Sequence, residues 1–390
     1  MIYDYLVVGA GFFGSTFARI VTNLGKKCLV VEKKNHVAGA AYDTPYSDYY
    51  VSEYGAHIFH TNSVGIWNFI NQFTTMIPFI NKPKVYSEGR ILSFPINLMT
   101  LNQLYGIRTP QEAEKYLSEA RKPIPREAKV NLENWLISMI GEELYRIFYY
   151  NYTKKQWFKD PKELPSSIAR RIPIRLTYEE NYFTTPYQGM PSDGYTNLIK
   201  TMLDGIDVEL GVDYLNNRQR YDKIAKRVIF SGPIDKFYDY SEGKLEFRTM
   251  AFEKRYFKGD QQGNAVINYV DDKPEYLRSI EHHHFYKHSF RKKCYNIPED
   301  INSVITYDYP TPMTEDTEPY YPIFDNANSE ILRKYQKLSD SKIWFGGRLG
   351  SYQYLDMDQS MASAVSLACK LEDYITDDGN GLEVLLKSLI

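Results

Sequence analysis

Gly9-Ala-Gly11-Phe-Phe-Gly14 stands between an apolar, β-favouring run from Tyr3 to Val8 and a helical apolar pattern from Phe12 to Leu24 that stops at Gly25. Few folds accept three glycines there. Gly9 permits a tight turn, Gly11 lets the backbone approach a pyrophosphate, and Gly14 allows close helix–strand packing. The helix N-terminus adds free N–H groups and a partial positive charge. Lys27 to Glu32 reads as a second buried strand, so the chain opens with a βαβ unit and a parallel sheet. Glu32, at the end of that strand, is positioned to accept hydrogen bonds from the ribose hydroxyls of an adenosine; an acid there disfavours a 2′-phosphate and selects FAD or NAD over NADP.

With 390 residues the chain has room for two or three domains and a large buried cofactor. Thr109-Pro-Gln-Glu112 is a capping box with proline at the first helical position, and a helical pattern runs from Leu132 to about Tyr150 with a break at Gly141. From Gly243 to about Pro310 the texture alternates, in segments Lys244 to Phe257, Gly263 to Val270, Tyr276 to Tyr286 and Ser303 to Tyr309, as in an antiparallel sheet. Short apolar runs at 228–233 and 343–348 can return to the first sheet. The expected fold is mixed α/β and α+β: a Rossmann-like cofactor domain from 1–80, 195–242 and 340–390, a helical domain at 98–165, and an antiparallel sheet domain from 81–97, 166–194 and 243–339.

A net charge of −2 gives no blanket attraction to polyanions, which argues against nucleic acid as a partner. Cys28, Cys294 and Cys369 are too few and scattered for a disulfide framework or zinc site and are expected to be packing residues. The N-terminus lacks a secretory pattern and no segment reaches the ~20 apolar residues of a membrane span, so a cytoplasmic protein without membrane insertion is expected. His282, His283 and His284 fall in an expected strand, where alternate residues face opposite sides; they are expected at the surface or an edge, and no metal site is expected.

Tyr54-Gly-Ala-His57-Ile-Phe-His60-Thr-Asn62 is the first string specific to one family. It is followed in order by Phe94-Pro-Ile-Asn97, Asn151-Tyr-Thr-Lys-Lys-Gln-Trp157, Leu164-Pro through Arg171-Ile-Pro, Asn181-Tyr182-Phe and Tyr187-Gln-Gly-Met-Pro191. Phe345-Gly-Gly-Arg348 through Tyr354-Leu-Asp356-Met-Asp358 closes the series. Over about residues 2 to 370 the chain resembles the UDP-galactopyranose mutase family of flavin-dependent nucleotide-sugar mutases. The resemblance implies FAD, active in its reduced form. It implies a reaction in which flavin N5 attacks the anomeric carbon of UDP-galactopyranose, expels the diphosphate, and holds the sugar while the ring reopens and recloses as a furanose for cell-surface glycans. A homodimer is the family expectation.

The resemblance assigns catalytic roles to Arg171, in a mobile loop near 166–177, and to Arg278, His60 and Asp356. The arginines would clamp the diphosphate, since a guanidinium binds phosphate at two points and keeps its charge. Phe148, Tyr152 and Trp157 would border the uridine, and Tyr182 and Tyr321 the diphosphate. Asn81, Asn268, Tyr354 and Asp356 would lie near sugar and flavin. Cofactor contacts would come from Gly9, Gly11, Phe12, Phe13, Gly14, Glu32, Lys33, Gly39, His57, Arg348, Tyr354, Asp356 and Met357.

Some positions depart from the family pattern. Ala38-Gly39-Ala40 stands where the amine-oxidase-like flavoproteins, whose FAD-binding start this N-terminus resembles, carry paired glycines and an asparagine; within the mutase pattern, Asn151 and Phe158 replace glycines and Tyr307-Asp308-Tyr309 replaces Lys-Glu-Tyr. The changes near the nucleotide leave open a dTDP-fucopyranose or UDP-N-acetylgalactosamine mutase. From another class, an amine-oxidase-like flavin oxidoreductase shares the cofactor fold.

Overall fold

The computed structural model describes residues 2–125, 131–168, 172–286, 303–314, 317–338 and 340–372. Tyr3–Val8, Phe12–Asn23 and Cys28–Glu32 form the opening βαβ unit. Cys28–Glu32 is buried at every position, as a strand covered on both faces must be. The parallel sheet has five strands in the order Asp207–Leu210, Cys28–Glu32, Tyr3–Val8, Ala225–Phe230, Ile343–Phe345. The two short apolar runs near 228 and 343 do return to it. The last helix is Met357–Leu371, and Gln359 accepts the N–H of Asp356 at its start.

A second sheet has seven strands in the order Tyr321–Pro322, Phe247–Phe257, Ser303–Thr311, Arg278–Glu281, Val266–Tyr269, Lys84–Ser87, Arg90–Ser93. It is not purely antiparallel, because Val266–Tyr269 runs parallel to Lys84–Ser87. Tyr187–Pro191, expected within this unit, instead pairs with Phe59–Thr61 and Met76–Pro78 in a separate three-stranded sheet.

Helices Leu98–Tyr105, Pro110–Ala120 and Leu132–Tyr145 are present, the second under the Thr109–Glu112 capping box. They share a core with the second sheet: Leu101, Leu117, Leu136, Ile140 and Phe148 pack in one cluster with Val85, Leu92 and Val270. Val266, Ile280 and Val304 of the same sheet pack instead with the nucleotide-fold core around Phe17, Val30 and Met361. Register puts Asn268, Arg278 and Asp308 opposite one another, on the face that carries Val266, Ile280 and Val304. These polar residues therefore sit where the two cores meet.

The strand carrying Arg278 stops at Glu281, and His282–Tyr286 forms a 3₁₀ turn. This corrects the expectation of alternating surface histidines: His282 and His284 are buried, His282 bonding through Nε2 to Thr306 Oγ1 at 2.7 Å. Cys28 and Cys369 are buried as expected, while Cys294 lies outside the described residues. Among the described residues no helix is long and apolar enough to cross a membrane.

Gly141 interrupts its helix at φ 81° and ψ 166°, a region open essentially to glycine, and a Cβ there would meet Ala120 Cβ and its carbonyl oxygen at 2.8 Å. Gly141→Ala is expected to destabilise the protein by about 2–4 kcal/mol through strain plus overpacking. Urea unfolding measures it, and a loss below about 1 kcal/mol would show the break to be incidental.

Candidate active site

The nucleotide cleft is built by backbone. Gly9 N–H donates to Val31 O at 2.8 Å, Ala10 N–H to Glu32 Oε2 at 2.9 Å, and Lys34 N–H to Glu32 Oε1 at 2.9 Å. Glu32 is thus clamped at the strand end with lone pairs to spare for a ribose. A Cβ on Gly14 would collide with the Gly9 carbonyl, so that glycine serves helix–strand packing and does not line the cleft. Gly11 and Gly39 lie back to back, a Cβ on Gly39 coming within 3.3 Å of Gly11 Cα. Ala38 beside them has φ 75°, the left-handed conformation that a glycine holds without cost. Ala38 holds this conformation at the expense of about 1–2 kcal/mol.

The cleft measures about 1430 Å³ including its open mouth. Ten expected cofactor residues line it: Gly9, Gly11, Phe12, Phe13, Glu32, Lys33, Gly39, His57, Arg348 and Met357. Phe13 packs against Gly347, whose φ is 69°. Val212 to Leu215, Ser231 to Pro233 and Glu318 to Tyr320 also line it and were not anticipated. The first two groups follow parallel strands, and the rule that ligands sit beyond the carboxyl ends of such strands could have found them. Nothing in the sequence marks Glu318, which pairs with Lys33 at 2.6 Å; both are exposed, so the pair adds about 0–1 kcal/mol.

Arg278 adjoins this cleft. Its Nε donates to Asp308, which is fully buried, and His57 lies within the electrostatic reach of both Arg348 and Arg278. Burial opposes the Arg278 charge, but the Asp308 carboxylate and the neighbouring Tyr321 and Tyr152 outweigh it, and the guanidinium stays ionised. Burial, with repulsion from Arg348 and Arg278, lowers His57 to about 4, so it is neutral at pH 7. Its Nδ1–H donates to Gly55 O at 2.8 Å, which leaves Nε2 as an acceptor.

Tyr321 and Tyr354 stack at 5.4 Å, and Arg348 lies over both rings at 5.4 and 5.1 Å. Burial raises the Tyr321 and Tyr152 phenols, which remain protonated donors. Tyr182 leads away from the cleft: it packs on Phe94 at 6.2 Å, Phe94 stacks on Phe148 at 6.2 Å, and Phe183 stacks on His60 at 3.7 Å. His60 Nε2 stands 3.8 Å from Asp356 Oδ2. Asn268 Nδ2 donates to Lys84 O at 3.3 Å. Asn81 Oδ1 and Trp157 Nε1 are buried without a hydrogen-bond partner among the described residues. Such orphaned groups cost about 1–3 kcal/mol each unless a ligand meets them.

Tyr354 and Asp356 do not line the main cleft; Tyr354 borders a shallower cavity with Phe324 and Gln359. Arg171 lies outside the described residues. Phe158 holds φ 50° with its side chain exposed beneath the Arg248 guanidinium, 5.1 Å away, which explains why a glycine suits this position.

A family model described as UDP-galactopyranose mutase matches residues 147–354, and one described as an NAD(P)-binding Rossmann-like domain matches residues 7–73. A probable UDP-galactopyranose mutase of Klebsiella pneumoniae is 39% identical over 373 residues, covering 94% of each chain. The dTDP-fucopyranose mutase of Escherichia coli is 35% identical over 374 residues, covering 93% of this chain and 97% of its own. A crystal structure of reduced UDP-galactopyranose mutase superposes with a TM-score of 0.74 over 100% of this chain and 99% of that one; at 14% identity it bears on the fold alone. With the family model spanning more than half of the sequence and full-length relatives above 30% identity, the chain belongs to the UDP-galactopyranose mutase family of isomerases.

Proposed function

We propose that the protein interconverts UDP-galactopyranose and UDP-galactofuranose with a bound, reduced FAD. The observation that carries this reading is the meeting of a half-buried, ionised Arg278 with the Arg348 and His57 edge of the nucleotide cleft. The residues fit FAD. Gly11 and Gly39 line the cleft with bare backbone and approach so closely that a Cβ on Gly39 would press on Gly11, Glu32 suits a ribose, and the cleft volume of about 1430 Å³ accommodates a dinucleotide. Reduced flavin, when bound, supplies an electron-rich nitrogen able to displace a leaving group from an anomeric carbon.

The protein's own groups then do the rest. Arg278, kept charged by Asp308, holds the departing diphosphate without needing to reorient. The protonated phenols of Tyr321 and Tyr152 donate to its oxygens. Trp157 and Phe148 offer aromatic surface for the flat base, and the unpaired Trp157 Nε1 and Asn81 Oδ1 offer a donor and an acceptor. Arg348 favours negative charge on the cofactor, and neutral His57 presents an acceptor beside it. Arg171 is carried over from the family string as the second diphosphate ligand. The same resemblance supports a cytoplasmic homodimer serving cell-surface glycan synthesis.

A dTDP-sugar substrate is the second reading, favoured by the 35% identical dTDP-fucopyranose mutase and by the bulk of Phe158 where the family has glycine. Dithionite-reduced, FAD-loaded protein incubated with UDP-galactopyranose, dTDP-fucopyranose and UDP-N-acetylgalactopyranosamine decides between them. Furanose is expected from the UDP-galactose sample without stoichiometric use of reductant. Preferential turnover of the dTDP sugar would transfer the assignment, and inertness toward all three would end it. Arg278→Ala should cost about 2–4 kcal/mol in kcat/KM, the scale of losing a directed charge contact in a closed site. Near-normal turnover with full flavin content would remove Arg278 from the machinery. Arg171→Ala is expected to lose about as much, and wild-type kinetics would mean that a neighbouring residue of the string is the ligand.

A further inference from the structure

We propose that Asp260, Glu281, His283 and His284 form a binding site for a divalent ion of the zinc class, on the outer face of the seven-stranded sheet. Alternation along the Arg278–Glu281 strand turns Ser279 and Glu281 away from the Arg278 face. Gln262 accepts from Ser279 Oγ at 2.7 Å, so the 259–263 turn lies on that outer side. There the 3₁₀ turn after the strand brings two imidazoles against two carboxylates.

The four residues each offer one ligand atom, and all of these atoms lie within 4.8 Å of one another. His284 Nε2 is 3.0 Å from Asp260 Oδ1 and 3.5 Å from Glu281 Oε2. His283 Nε2 is 3.6 Å from Asp260 Oδ2. A tetrahedral ion with bonds of about 2.0–2.2 Å holds its ligands about 3.3–3.6 Å apart, so small side-chain rotations would suffice. Two imidazoles with two carboxylates is a donor set suited to zinc and its neighbours, whereas calcium and magnesium call for oxygen alone.

Outer contacts brace the ligands as metal sites require. Glu281, fully buried, accepts the N–H groups of Gln261 and Gln262 at 2.9 Å each and the Ser303 hydroxyl at 2.6 Å. Asp260 Oδ1 accepts the N–H of Gly263 at 2.7 Å. The side chains of His284, His283 and Asp260 are 5%, 21% and 39% exposed, a gradient that gives an ion an entry path from solvent. The ion would staple the 259–263 turn to the strand that carries Arg278. The site stands apart from the cleft, and its existence does not depend on the mutase reading.

The test uses full-length, flavin-loaded protein stripped of metal and titrated with Zn(II) against a chromophoric chelator. One tight equivalent is expected, with affinity reduced by about tenfold or more in Asp260→Asn and in His284→Gln. Asp260 is exposed, so its variant should fold whatever befalls His284→Gln; unchanged flavin content and far-UV circular dichroism check this. Absence of a stoichiometric zinc would overturn the proposal, leaving a hydrogen-bonded histidine–carboxylate cluster. Equal affinity in both variants would overturn it too, by locating the ion elsewhere.

Discussion

A guanidinium that must stay charged inside the protein constrains much of this fold. Removing Asp308 from water altogether, and Arg278 in part, carries a desolvation cost that their mutual attraction repays only in good geometry. That geometry is supplied by cross-strand register: Arg278 and Asp308 are direct partners on adjacent antiparallel strands, so the sheet itself fixes their separation. Asp308 Oδ1 still has no hydrogen-bond partner among the described residues. Its negative charge is thus committed to Arg278 alone, and the positive charge keeps its remaining N–H groups for an anion.

The same sheet face explains how two ligands can meet. Its one half packs on the nucleotide fold and the other on the helices, so the polar residues at the junction are walled by two separate cores. Arg348, delivered by the last strand of the parallel sheet, stacks over Tyr321 and Tyr354 and closes the junction from the cofactor side. Phenols are apt there because each brings an apolar ring to the wall and a donor to the ligand.

Much of the nucleotide fold was legible because its signals are local. Gly9 and Gly14 act through neighbouring backbone, and in the helical part the Thr109 cap likewise acts within one turn of itself. The residues proposed to meet the substrate were reachable only through the family resemblance, since nothing local separates Arg278 from any solvated arginine on a strand. What was missed depends on long-range geometry. Tyr187–Pro191 was placed with the antiparallel sheet domain by its position in the chain, and nothing in it names Phe59–Thr61 and Met76–Pro78 as partners; Lys84–Ser87 gives no sign of parallel pairing. The histidine run was misjudged because the strand ends one residue before it, and a 3₁₀ turn brings consecutive side chains to the same neighbours where a strand would part them.

The parallel sheet takes its edge strand from Ile343–Phe345, and Gly347 and Arg348 of the cleft follow directly. During synthesis the ribosome must therefore deliver the chain past Arg348 before the cleft can close. Until then Ala225–Phe230 waits with an open edge, a template for wrong pairing. A product ending before Ile343 would lack both that edge strand and the Gly347–Arg348 wall of the cleft.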